Sequence, residues 1–127
     1  MVYEYSTAVR GYEIDSYNHL NHAVYLNYME HARWEILREL NLIDHFKENN
    51  YKCVVVDIHI KYAREAKLFD ELQIKTTLKR KEPYLVFIHK VYNIKTNLKI
   101  CQAEVKSLLI DNENIPCDIP NNILKLN

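Results

Sequence analysis

Glycine is almost missing from this chain: Gly11 is the only one among 127 residues. Phosphate-cradling loops and dinucleotide fingerprints need several glycines so that backbone N–H groups can approach the ligand, and both are excluded. Turns must then use other residues. Asparagine tolerates the left-handed backbone region better than most residues with a side chain, so Asn18, Asn50, Asn97 and Asn112 are expected to stand where other proteins use glycine. Net charge is lacking too, since 17 Lys and Arg balance 17 Asp and Glu. That excludes a nucleic-acid binder working through bulk electrostatics. No apolar run approaches the ~20 residues that span a bilayer, so no membrane span is expected. The opening Met-Val-Tyr-Glu-Tyr-Ser has no basic segment followed by an apolar one, and no signal peptide is expected. Cysteine is scarce: Cys53, Cys101 and Cys117 are odd in number and widely spaced. They read as free thiols in a reducing cytoplasm, with Cys53 and Cys101 as small buried hydrophobes in strand-like runs.

What is present fits one globular domain over residues 1–127, with 48% apolar and 27% charged residues and enough length for its own core. Residues 2–10 read as a first strand and 11–20 as a loop. Asn21 is a candidate N-cap for a helix over residues 22–40, because Tyr25, Met29, Ala32, Ile36 and Leu40 recur at helical spacing as one apolar stripe. A weaker helical turn covers 43–48. Residues 53–62 alternate, with Val54, Val56, Ile58, Ile60 and Tyr62 on one face and Asp57, His59 and Lys61 on the other. Residues 72–78 alternate in the same way. Residues 85–92 are apolar on both faces, as a central strand should be. Glu82-Pro83 and Lys95-Thr96-Asn97 read as turns, 100–110 as a last long strand, and the residues after Asn114 as a tail. One strand, one long helix and four further strands joined mostly by hairpin-like turns is an α+β pattern. The helix must bury its stripe, and the concave side of a curved antiparallel sheet of about five strands is the large apolar surface on offer. A long central helix wrapped in such a sheet is the hotdog arrangement.

The densest chemistry lies before and within that helix. Residues 13–22 hold Glu13, Asp15, Asn18, His19, Asn21 and His22, and lead straight into the helix. A helix start offers unpaired N–H groups and a positive dipole end, which suit a developing negative charge. Val9, Arg10, Asp15, His19, Asn21, Tyr25, Tyr28, Glu30, Ala32 and Arg33, at their spacing here, resemble the signature of hotdog-fold thioesterases of the 4-hydroxybenzoyl-CoA type. The entry Asn21-His-Ala-Val-Tyr25 is similar to that of plant acyl-lipid thioesterases. Tyr62-Ala-Arg64-Glu-Ala66-Lys-Leu-Phe-Asp70-Glu-Leu72 resembles the segment that joins the second and third strands in this family. Three positions depart from the pattern: Glu13 stands where many members have Asp, Asn18 where Gly is common, and Glu65 where a proline is usual.

The resemblance implies hydrolysis of an acyl-CoA or acyl-carrier-protein thioester to a carboxylic acid and a thiol. It implies that Asp15 is the catalytic carboxylate and that the backbone N–H near His22 is the oxyanion donor. An ionised Asp15 suits either a base toward water or a nucleophile toward the carbonyl. His19 is a candidate to orient water or protonate the leaving thiolate, with a backbone-bonded loop histidine as the alternative. Tyr17, Asn18, Asn21, Tyr25 and Arg64 are candidates for substrate binding, and Glu30 and Arg33 for a buried, orienting pair. Arg64, Lys67 and the Lys79-Arg80-Lys81 run are candidates for coenzyme A phosphates or an acidic carrier protein. Asp15, His19 and His22 have a permissive spacing for a metal, but closed zinc sites usually add a thiolate or a clear third histidine. No metal or organic cofactor is expected. His31, His45, His59 and His89 show no convergent partners. An exposed sheet edge calls for a homodimer, or a homotetramer, and the resemblance implies active sites at the dimer interface. Two other classes fit part of the pattern: a hotdog dehydratase or hydratase of acyl thioesters, and a non-catalytic acyl-thioester binding protein.

Overall fold

The structure, a computed structural model, describes residues 1–120. Its elements are β1 (Tyr3–Ala8), α1 (Val24–Glu39), α2 (Leu42–Glu48), β2 (Lys52–Tyr62), β3 (Glu71–Lys81), β4 (Tyr84–Asn93) and β5 (Lys99–Ile110), with a 3-10 turn at Gly11–Glu13. The five strands form one antiparallel sheet in the order β1-β3-β4-β5-β2.

The helix forms where its stripe predicts. Tyr25, Met29, Ala32 and Ile36 are buried, and Tyr28 joins them. They pack on the inner face of the sheet against Leu72, Ile74, Phe87, Val91 and Val105. This is the hotdog arrangement. The helix starts two residues later than the pattern implies. The Asn21 side chain accepts the Ala23 N–H at 3.0 Å and its carbonyl accepts the Val24 N–H at 2.9 Å, so Asn21 begins a turn that leads into α1. Asn18, Asn50 and Asn97 adopt positive φ as expected. Asn112 does not; Asn114 and Asn41 do, and so does the bulky Phe69 at φ 70°.

Two expectations about the sheet are corrected. Only β3, β4 and β5 form a meander. β2 lies at the far edge on β5, so residues 63–70 cross the sheet instead of closing a hairpin. Eight extended residues reach roughly 26 Å, ample for three strand spacings of about 14 Å. The alternation of β2 is also broken. The register with β5 shifts between Val55 and Asp57, a bulge that places one extra residue on β2. Cys53 and Val55 therefore lie opposite the buried Leu109 and Ser107 on the inner face, with Ile58, Ile60 and Tyr62 further along it, while Val54 turns outward. A bulge is invisible to a period-two reading.

The helix sits nearest β1 and β3, which leaves β2 poorly covered. Val55, Val56 and Ile58 are 44%, 49% and 40% exposed. The expected tail folds back in part. The Cys117 N–H donates to the Leu109 carbonyl at 2.9 Å, and Ile119 is buried in the core. The remainder of that tail lies outside the described residues.

Met29 is 0% exposed at the centre of the helix–sheet contact. Met29→Ala should cost about 2–5 kcal/mol of unfolding free energy, read by urea denaturation. A loss below about 1 kcal/mol would contradict this packing.

Candidate active site

Glu13 anchors the loop between β1 and α1. Its carboxylate accepts the Tyr28 hydroxyl at 2.6 Å and the Arg10 N–H at 2.9 Å, and Arg10 Nη1 lies 3.4 Å away. Its carbonyl accepts the Asn21 N–H at 2.9 Å. Burial, followed by the hydrogen bond to Glu13 and its charge, pushes the Tyr28 hydroxyl well above the usual tyrosine range. Glu13 thus spends its oxygens on holding the loop to the helix.

Residues 14–20 then form a miniature hairpin. Ile14 bridges Leu20, the Asp15 N–H donates to the His19 carbonyl at 2.8 Å, and Asn18 takes the left-handed position at the tip with φ 64°. Asp15 Oδ1 accepts the N–H groups of Tyr17 at 2.8 Å and His19 at 3.2 Å. Asp15 Oδ2 accepts no hydrogen bond among the described residues, and Asp15 is only half-buried. The His22 N–H likewise donates to no acceptor among the described residues. Tyr62 donates its hydroxyl to the His22 carbonyl at 2.8 Å, which fixes that peptide unit from the edge strand.

The crossing segment 63–70 forms the platform below the hairpin. His19 bridges Lys67 through the backbone, and the Leu20 N–H donates to the Ala66 carbonyl at 2.8 Å. Val9 and the segment exchange two more bonds, Val9 N–H to Asp70 at 2.9 Å and Phe69 N–H to Val9 at 3.0 Å. The His19 ring points at the platform, with Nε2 2.9 Å from a Glu65 carboxylate oxygen.

Several expected site residues are elsewhere. Tyr25 is buried in the core with its ring edge-on to Tyr62 at 5.5 Å. Burial holds its hydroxyl well above the usual range. Arg64 donates to the Lys99 carbonyl at 2.8 Å and ties the platform to β5. Arg80 and Lys81 pair with Glu82 and Glu104 at 3.0 and 3.5 Å, some ten residues or about 30 Å along β3 from the active loop. Glu30 is exposed and makes no ion pair with Arg33 among the described residues, so the orienting pair does not form. Tyr17 and Asn18 are exposed at the hairpin tip, and Asn21 starts the helix turn.

Arg33 instead turns inward to His89. Its Nη1 lies 3.2 Å from His89 Nε2, and His89 Nδ1 lies 2.7 Å from Thr76 Oγ1. His89 therefore has partners that its sequence context did not show. The signal was its inner-face register in an otherwise apolar strand. Burial, then the Arg33 charge, lowers its pKa to about 3. Between α1, α2 and the start of β2 lies a cavity of about 440 Å³ that both Arg33 and Glu30 line.

A loop carboxylate with one free oxygen and a free N–H shortly before α1, on a helix-in-sheet scaffold, make up a candidate site on a hotdog fold. The sequence profile of the thioesterase-like superfamily matches residues 9–126, and the chain belongs to that superfamily. It is 42% identical over 72 residues to the long-chain acyl-CoA thioesterase FadM of Escherichia coli, covering 57% of this chain and 54% of that protein. It is 24% identical over 123 residues to the chloroplastic acyl-acyl carrier protein thioesterase ATL3 of Arabidopsis thaliana, covering 95% of this chain and 65% of that one. The chain thus spans between half and two thirds of the length of these relatives. The crystal structure of YbaW, a probable thioesterase from Escherichia coli, superposes with a TM-score of 0.84 at 28% identity, covering 90% of this chain and 87% of that one.

A histidine with a pKa of about 3 in the folded protein and about 6.5 unfolded makes stability depend on pH. Between those values the unfolded chain binds a proton that the folded one refuses. Stability should therefore fall as pH drops from 6.5 toward 3, by up to about 1.4 kcal/mol per pH unit, with no contribution above 6.5. Denaturation curves of the native protein and His89→Gln at pH 7, 6 and 5 should diverge in that slope. Parallel curves would show His89 is not buried and neutral.

Proposed function

We propose that this chain hydrolyses acyl thioesters to a free acid and a thiol, with Asp15 as the reacting carboxylate. The observation that carries the reading is one free Asp15 oxygen and a free His22 N–H in the same loop ahead of α1, on a scaffold of the thioesterase-like superfamily. The substrate carbonyl oxygen lies at the helix start, where the N–H and the dipole stabilise the tetrahedral oxyanion. Asp15 Oδ2 either takes a proton from the attacking water or attacks the carbonyl carbon itself. The hydrogen bonds to Oδ1 keep the carboxylate oriented. His19, held by Glu65, is the group placed to give the leaving sulfur its proton. Tyr17 and Asn18 at the tip meet the substrate entering from solvent. The substrates named for FadM and ATL3 support acyl-CoA and acyl-carrier-protein thioesters as the candidates.

The His19–Glu65 pair also favours a second reading. A dehydratase or hydratase of acyl thioesters needs a histidine–acid pair for proton transfer at the acyl chain. Thiol trapping and enoyl-CoA hydration, run side by side over an acyl-CoA panel, separate the two. Thiol release without hydration is expected. Asp15→Ala should lower kcat for thiol release at least about 100-fold and leave the folded state intact by circular dichroism. Turnover within a few-fold of native would remove Asp15 from the mechanism.

The homodimer belongs to the same proposal. β2 is an edge strand with an apolar inner face in solvent, a surface that pairs with another edge when it is not blocked. The joining of two β2 edges extends the sheet across the two-fold axis and brings each active loop to the interface. Ile58→Lys should shift the protein from dimer toward monomer in analytical ultracentrifugation. A dimer as stable as native would place the interface elsewhere.

A further inference from the structure

The cavity beside α1 has a mixed character that a plain hydrocarbon does not use. Its volume of about 440 Å³ falls in the range of about 300–1,000 Å³ usual for small-molecule sites. Trp34, Leu37, Phe46, Tyr51 and Val55 give it apolar walls. Arg33 places a guanidinium in the same wall.

That guanidinium is held in place but not neutralised. The Arg33 Cζ lies 6.0 Å from the Phe87 ring centre, and Nη1 donates to His89 Nε2 at 3.2 Å. An arginine has no acceptor, so Nε2 must carry the lone pair. His89 is then neutral and its Nδ1–H donates to Thr76 Oγ1. A neutral imidazole occupies one of five N–H donors and cancels no charge. No carboxylate forms an ion pair with Arg33 among the described residues. Glu30 is exposed at the cavity wall. Burial lowers the Arg33 pKa, opposed by Glu30. A half-buried cation beside apolar walls is costly until an acceptor meets it.

The cavity is also reachable from the site. The helix leaves the inner face of β2 partly uncovered, with Ile58 and Tyr62 40% and 45% exposed and Ile60 between them packed against the core. That strip runs from Tyr62, bonded to the His22 carbonyl, to Val55 in the cavity wall. Along α1, Glu30 lies about 10 Å and Arg33 about 15 Å beyond the Ala23 cap. A chain attached to a thioester at the helix start enters the cavity by lying in this trough.

We propose that the cavity receives the far end of the acyl group and that Arg33 selects acyl groups carrying an oxygen acceptor there, such as a hydroxyl, keto or carboxylate oxygen. The proposal rests on the hydrolase reading above. The test compares kcat/KM for straight-chain acyl-CoAs of increasing length with their ω-hydroxy and ω-carboxy counterparts. At the chain length that reaches Arg33, the oxygenated substrate should be favoured at least tenfold. Arg33→Met, which removes the donors while retaining an unbranched side chain, should lower that preference at least tenfold, and Arg33→Lys should retain part of it. Should Arg33→Met not fold, the native preference and the Arg33→Lys ratio still decide the matter. Thiol release without any preference at any length overturns this proposal alone. Absence of thiol release from every substrate overturns the hydrolase reading instead. Inhibition by free straight-chain acids that Arg33→Met relieves, with no preference among acyl groups, makes the cavity a free-acid site and also overturns the proposal.

Discussion

The buried carboxylate of Glu13 is the joint on which the active loop turns. A carboxylate away from water is costly unless its oxygens are matched by donors. Here the Tyr28 hydroxyl and the Arg10 N–H meet it, with the Arg10 guanidinium at its outer side. Those bonds fix three things at once: the path of the chain after β1, the rotation of α1 about its axis, and the start of the residue 14–20 hairpin. Asp15 follows two residues later. Ile14 between them packs against the core, so the two acids end with opposite fates. Glu13 spends its acceptor capacity inward. Asp15 spends one oxygen on its own turn and keeps the other free. Which acid keeps a free oxygen is therefore decided by which one the core has already used.

How much of this was legible in the sequence depends on how local each cause was. The helix stripe was legible because Tyr25, Met29, Ala32 and Ile36 repeat at the helical period, and three of four named asparagines do hold left-handed turns. The place of β2 was not, because edge pairing with β5 and the bulge after Val55 are set by a strand 39 to 58 residues away. The loss of Tyr25 to the core has the same origin. Its position fits both a stripe and a site, and only the sheet beside it decides. Glu30 and Arg33 have good helical spacing for a pair. Arg33 instead finds His89, 56 residues on, a partner on another element that helical spacing does not name. The His19 contact depended on a departure, Glu65, whose partner no pattern names.

A single asymmetry links the sheet edge, the trough and the cavity. The helix packs over β1 and β3, so its other flank and the inner face of β2 remain apart. A helix centred over the sheet would have covered β2 and filled the space that now holds the cavity. The bulge contributes as well. It changes which β2 residues face inward, placing Cys53 and Val55 in the cavity wall and Ile58, Ile60 and Tyr62 along the trough. The apolar area left bare by this arrangement serves both proposals, the edge for a second chain and the channel for an acyl group. They are compatible because the first closes the open side of the second.

Glu65 also bears on how the platform keeps its shape. A proline, usual at this place in the pattern the chain resembles, orders a loop by fixing φ and reducing the freedom of the unfolded chain. This segment has no proline and is ordered by bonds instead. Val9 exchanges two hydrogen bonds with it, Asp70 accepts the Lys67 N–H at 2.9 Å, and Ala66 accepts from Leu20. Backbone order is thus supplied without Glu65, whose side chain is left to meet His19. The substitution exchanges conformational stiffness at one residue for a carboxylate at the site. Unlike a proline, that carboxylate holds the orientation of the neighbouring imidazole. The residue that departs from the pattern thus ties the platform to the histidine of the active loop.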